Sequence, residues 1–153
     1  MSLDIDVAAV NVRAPLSRAA IATIARGALA AERVRDALIS ITLVDAATMA
    51  RLNRTHLHHS GATDVISFQF NRVKRSDPVI GDVYICPAVA RRNAAERDRS
   101  VREEVARLVI HGVLHVLGHD HPNDDRRESS RMWRRQEQLL ERLAPPRTSR
   151  SSR

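Results

Sequence analysis

The residues of this 153-residue chain best suited to chemistry lie in one stretch, His111-Gly-Val-Leu-His115-Val-Leu-Gly118-His-Asp-His121. His111 and His115 are four apart, which places both imidazoles on one face of a helix, one turn above the other. Gly118 is the residue type that ends a helix in a left-handed turn, and a reversal there brings His121 back toward the pair. Three neutral imidazoles make an open three-ligand site that suits Zn²⁺, with a fourth position left for water. Such an ion draws the pKa of that water down to about 7, which supplies a nucleophile at neutral pH. The bland alternative, core histidines satisfied by backbone carbonyls, accounts for a pair. Three histidines with the glycine in place favour a metal.

The spacing, with glycine seven residues after the first histidine, is that of a metzincin zinc site. The glutamate that follows the first histidine there is Gly112 here, so the usual peptidase base is absent. Gly112 is expected instead to leave open space beside the ion, enough for a phosphate. A helix running on through Gly118 would put His119, rather than His121, on the face of His111 and His115, and the glycine argues against that. Asp64 is a candidate catalytic carboxylate that orients a water or a ligand imidazole, or else it caps a strand. Asp120 carries the same two readings, ligand support or turn chemistry. Ser67 and His59 are candidate substrate contacts, with His56, His58 and His59 in a solvated loop along the cleft. Trp133 and Tyr84 read as core aromatics rather than stacking platforms, and Cys86 as a small core residue.

Hydrophobic periodicity supplies the elements that must position these groups. Alternating or β-branched runs over 3–12, 37–44, 63–70 and 79–85 predict four strands, the last two joined as a hairpin by the charged loop 71–78. Ser17 opens an alanine-rich helix to about residue 33. Asp45 caps a short helix carrying Met49 and Leu52, followed by a polar loop from Thr55 to Gly61. Pro87 starts a helix to about Arg97. Ser100-Val-Arg-Glu103 is a capping box that launches the histidine helix. Asp125 and Glu128 repeat that signature before a last helix bearing Met132, Leu139, Leu140 and Leu143, which Pro145-Pro146 ends. The order predicts a single α+β domain over 1–146, with a mixed sheet of about four strands packed with helices. The Arg/Ser tail 147–153 is expected to be disordered.

Composition narrows the function. The apolar share of 43% and charged share of 28% are those of an ordinary globule. Cys86 is the one cysteine, so no intrachain disulfide forms and a reducing compartment fits. No apolar run is long enough for a membrane span, and the amino terminus lacks the pattern of a signal peptide. A cytoplasmic protein follows. Net charge is +7, carried almost entirely by arginine, since Lys74 is the only lysine among 25 basic residues. Arginine forks match phosphate oxygens in pairs, yet charge alone admits nucleic acid without singling it out.

The histidine block resembles the signature of the YbeY family of ribosomal-RNA maturation factors, metal-dependent single-strand endoribonucleases. Leu52-Asn53 and Thr63-Asp-Val-Ile-Ser-Phe68 are similar to the family's loop and strand ahead of the zinc helix. Gly81-Asp82-Val-Tyr84-Ile85 is similar to its next strand, and Met132 with Glu137 to its last helix. The resemblance runs from about residue 36 to 143. It implies that His111, His115 and His121 hold one Zn²⁺. It also implies a bacterial cytoplasmic protein that acts on single-stranded RNA in 16S small-subunit 3′ end maturation, with the ribosome or ribosomal proteins as partners. Three positions depart from the pattern. Leu57 stands where the family has an arginine thought to serve catalysis, and Arg54, one turn earlier, is the candidate replacement if its helix extends that far. His119 replaces a tyrosine, and Ala62 a common proline. Two other functions stay open: a metal-stabilised ribosome-assembly or RNA-binding factor that does not cut, favoured by Leu57, and a metalloprotease, opposed by Gly112.

Overall fold

In β2 (Ala37–Leu43) and β4 (Val79–Ile85) every second residue is buried, the period of a strand with one face on the core. With β1 (Leu3–Ala9) and β3 (Val65–Phe70) they form a sheet of order β1-β2-β4-β3. β1, β2 and β4 run parallel, while β3 is antiparallel to β4, so the expected hairpin and the mixed α+β sheet are both present. This computed structural model describes residues 1–58, 61–121 and 126–144.

Five helices complete the described chain: α1 (Arg18–Ala31), α2 (Ala46–Leu57), α3 (Pro87–Glu96), α4 (Val101–Val116) and α5 (Arg131–Leu143). Ser17, Asp45 and Ser100 each accept a hydrogen bond from the backbone N–H three residues on, so all three expected caps form. α4 is buried on nearly every side, the mark of a central core helix. It lies on β3 and β4, with α1, α3 and α5 against its other flanks. Two glycines bring it close. A Cβ at Gly81 would stand 2.5 Å from Val116 Cγ1, and one at Gly112 would stand 2.5 Å from Val83 Cγ1. On the opposite face of the sheet, α2 covers a small cluster of Val44, Met49, Ile66, Cys86 and Val89, with Phe68 and Tyr84 packed on it. Cys86 is thus a core residue, as expected, while Tyr84 is half-buried and packs against that cluster.

Three boundaries differ from the sequence reading. β1 stops at Ala9, because Asn11 takes a left-handed conformation (φ 57°). α2 continues through Thr55, His56 and Leu57, which were expected in a loop, and ends at a left-handed His58. The edge-to-face packing of His56 on Phe68, with centroids 5.1 Å apart, supports that last turn. α5 starts after Ser130, whose hydroxyl accepts from Trp133 N at 3.2 Å. Glu128 belongs to a separate 3₁₀ turn, Arg127–Ser129, and so does not cap the helix. Asp125, the 145–146 proline pair, the 147–153 tail and His59 lie outside the described residues.

Candidate metal centre

α4 carries His111 and His115 with ring centroids 4.6 Å apart. Beyond its end, Gly118 adopts φ +98°, a conformation that side chains other than glycine's rarely take. Its N–H donates to His115 O at 2.9 Å, and His119 N–H donates to Leu114 O at 3.0 Å, the paired bonds of a Schellman turn. The reversal brings the His121 ring to 5.0 Å from each of the other two. Asp120 serves this turn, its carboxylate accepting from His121 N at 2.8 Å. One ring nitrogen from each of the three histidines lies within 4.8 Å of the others, a group that could hold a metal ion.

Distance and protonation both suit that role. Two nitrogen ligands at about 2.05 Å from a tetrahedral ion stand about 3.4 Å apart, and the Nε2 atoms of His111 and His121 are 3.3 Å apart. His111 Nδ1–H donates to Gln136 Oε1 at 2.5 Å, which leaves the Nε2 lone pair facing its partners. Burial pushes the His111 pKa down to about 3, with neighbouring positive charge from His115, Arg127 and His121 adding and the Gln136 bond opposing. His115 is lowered as well, by burial first and then by His121. Both rings are therefore neutral near pH 7, the form that ligates.

A chain of side chains fixes Gln136 from behind. Its amide donates to Glu137 Oε2 at 3.0 Å. Arg107 grips both oxygens of Glu137, at 2.9 and 3.1 Å, and reaches Glu104 at 2.7 Å. Burial works against the Glu137 charge, but the hydrogen bonds from Arg107 and Gln136 outweigh it and hold the carboxyl below its usual range.

The other sequence candidates are placed as follows. His119 turns away from the cluster, with Nε2 2.6 Å from Glu32 Oε1, while Arg135 Nε holds the second Glu32 oxygen at 2.9 Å. Asp64 lines the cleft of about 400 Å³ beside the three histidines. Its carboxylate accepts from Asn93 Nδ2 at 3.3 Å and from no ligand imidazole. Ser67 lines the same cleft and donates to Gly112 O at 3.2 Å. α2 does extend past Arg54, but Arg54 is exposed and does not line the cleft, whereas Leu57 does. The open space expected at Gly112 is absent. That position faces the sheet, where Val83 Cγ1 (2.5 Å), Val83 Cγ2 (3.2 Å) and Ser67 Oγ (3.3 Å) fill the place of a Cβ. A glutamate there would point into β4.

Two residues escaped the sequence reading. Gln136 is fully buried on the stripe Met132, Leu139 and Leu140, and a polar residue at a core position is itself a signal of a partner. Arg127 lines both this cleft and a neighbouring cavity of about 280 Å³. It sits in a short turn with no periodicity to mark it.

A mixed α+β sheet under one long core helix, whose exit gathers three imidazoles over an open cleft, defines a class of single-domain folds able to seat a metal ion. The chain belongs to the Endoribonuclease YbeY family, whose model matches residues 6–144. A Pseudomonas putida relative of that name is 40% identical over 117 residues, covering 75% of this chain and 73% of the relative. One from Thermobifida fusca is 37% identical over 134 residues, covering 82% and 85%. The fold is shared with a Thermotoga maritima protein solved in solution, at a TM-score of 0.60 and 23% identity, covering 91% of this chain and 88% of that one.

Proposed function

We propose that this chain is a zinc-dependent endoribonuclease that cuts single-stranded RNA, acting in 16S small-subunit rRNA 3′ end maturation with the ribosome or ribosomal proteins as partners. The observation that carries the reading is the trio His111, His115 and His121, neutral where burial decides it and with an Nε2 separation of 3.3 Å. These three would hold Zn²⁺, which when bound supplies Lewis acidity and an activated water near neutral pH. Gln136 keeps His111 Nε2 free to ligate, and Arg107 with Glu137 keeps Gln136 in register. Asp64 is the cleft carboxylate that would orient the attacking water. Ser67, its proton committed to Gly112 O, is left as an acceptor for a substrate hydroxyl. No described helix is long and apolar enough to cross a membrane, in keeping with a cytoplasmic site of action.

Leu57 supports a second reading, a metal-stabilised RNA-binding assembly factor that does not cut, because it puts an apolar side chain in the cleft. Metal analysis of the purified chain, with cleavage of a labelled single-stranded RNA before and after chelation, separates the two. The expected result is one bound zinc and cutting that chelation abolishes and zinc restores. Cutting that survives chelation refutes the metal-dependent reading, and zinc uptake without cutting selects the binding factor.

A further inference from the structure

We propose that Arg127 binds a phosphate of the RNA strand beside the three imidazoles, an inference that rests on the endoribonuclease reading of the same cleft. Arg127, Asp64 and His111 are the residues common to the cleft and to the neighbouring cavity, so the guanidinium stands at their junction. It is the only arginine or lysine among the described residues of the cleft wall. Its Nε is buried and has no hydrogen-bond partner. Among the described residues its guanidinium forms no ion pair either.

Arg99 also has a buried nitrogen without a partner, Nη1, but it does not line the cleft, and two further inward-facing arginines are paired. Arg107 is shared between Glu104 and Glu137, and Arg135 is held by Glu32 and the Ala31 carbonyl. The two carboxylates of the cleft are engaged elsewhere, Asp64 with Asn93 and Asp120 with the His121 backbone. A buried donor without a partner is costly. Such a group lacks an anion.

Trp133 lies under the guanidinium, 5.8 Å from its carbon to the ring centroid, which holds the charge at the junction by a cation–π contact. A phosphodiester presents two free oxygens to the guanidinium fork. Charge that builds on those oxygens as phosphorus is attacked would then meet a donor already in place. Leu57, on another part of the cleft wall, offers no such group.

The test uses the full-length zinc-loaded chain, its Arg127→Ala, Arg127→Gln and Arg127→Lys variants, and a fluorescent 2′-O-methyl oligouridylate of about twelve nucleotides. Affinity is read by anisotropy across a salt series, and turnover is read on the unmodified strand. A single-strand phosphate contact contributes about 0.7 to the slope of log K against log salt. Arg127→Ala and Arg127→Gln are expected to lower that slope by about 0.7 and kcat/KM by about 10²-fold, with Arg127→Lys recovering part of both. Should Arg127→Ala melt early, Arg127→Gln, which removes the charge and keeps an amide, is read in its place. Slopes equal to wild type overturn the proposal whatever happens to turnover, as does a wild-type chain that fails to bind the strand. A wild type that binds but never cuts defeats the endoribonuclease reading instead, and the slope still decides whether Arg127 meets a phosphate.

Discussion

Gly112→Ala adds one methyl group where α4 rests on β4. The new carbon would lie 2.5 Å from Val83 Cγ1, and carbon atoms pack at about 3.5 Å or more, so the two elements must part by about 1 Å. Neither yields easily. Val83 is 0% exposed on a strand paired on both sides, and the Gly81–Val116 contact pins α4 one turn further on. Overpacking costs about 1–3 kcal/mol, here the upper part of that range, about 2–3 kcal/mol, because neither side yields, while alanine in a helix interior returns about 1 kcal/mol over glycine. The net expectation is a loss of about 1–2 kcal/mol, a fall in Tm of about 2–8 °C for a domain of this size. His111 and His115 move with α4 but His121 does not, so zinc affinity, read by chelator competition, is expected to fall about tenfold. Val83→Ala removes the clashing methyls, and the double variant is expected to be more stable than the sum of the singles by about 1 kcal/mol or more. An alanine variant that melts at or above wild type, or a strictly additive double variant, refutes the close-contact reasoning.

Two further outcomes follow. His121→Ala is expected to lose zinc binding while His119→Ala keeps it, because His119 is engaged with Glu32 rather than with the trio; the reverse pattern in metal analysis would overturn the ligand assignment. In metal-free protein, His111 stays neutral in the fold down to about pH 3, whereas the unfolded chain takes up its proton near 6.5. Its contribution to stability is therefore full above pH 6.5 and drains away as pH falls toward 3, by up to about 1.4 kcal/mol per pH unit. Thermal melts across pH 4–7 should show this decline, and a flatter profile in His111→Leu ties it to that ring.

Much of the fold was legible because it is written in short periods. Alternation marked the strands, Ser17, Asp45 and Ser100 marked helix starts, and Gly118 alone settled which of His119 and His121 turns back toward α4. What could not be read depends on partners distant in the chain. The orientation of Gly112 follows from Val83 on a neighbouring strand, so a residue expected to border open space proved to be a packing contact. Arg54 met its condition, a longer α2, and still stayed outside the cleft, because reach along a helix does not fix which way its face looks. The role of Gln136 spans 25 residues to His111, and only its polarity within an apolar stripe hinted at it. Arg127 has no pattern around it, and its position emerges only when the turn before α5 packs over Trp133.

The tie between His119 and Glu32 joins residues 87 apart in the chain. It anchors the short segment bearing His121 to the end of α1, with Arg135 of α5 clasping the same carboxylate. The first helix is thereby part of the mounting of the third imidazole, although it supplies no atom to the cluster. A fragment beginning at β2 would retain every histidine and still release that ring from its tether, so the integrity of the site extends to a segment with no chemistry of its own.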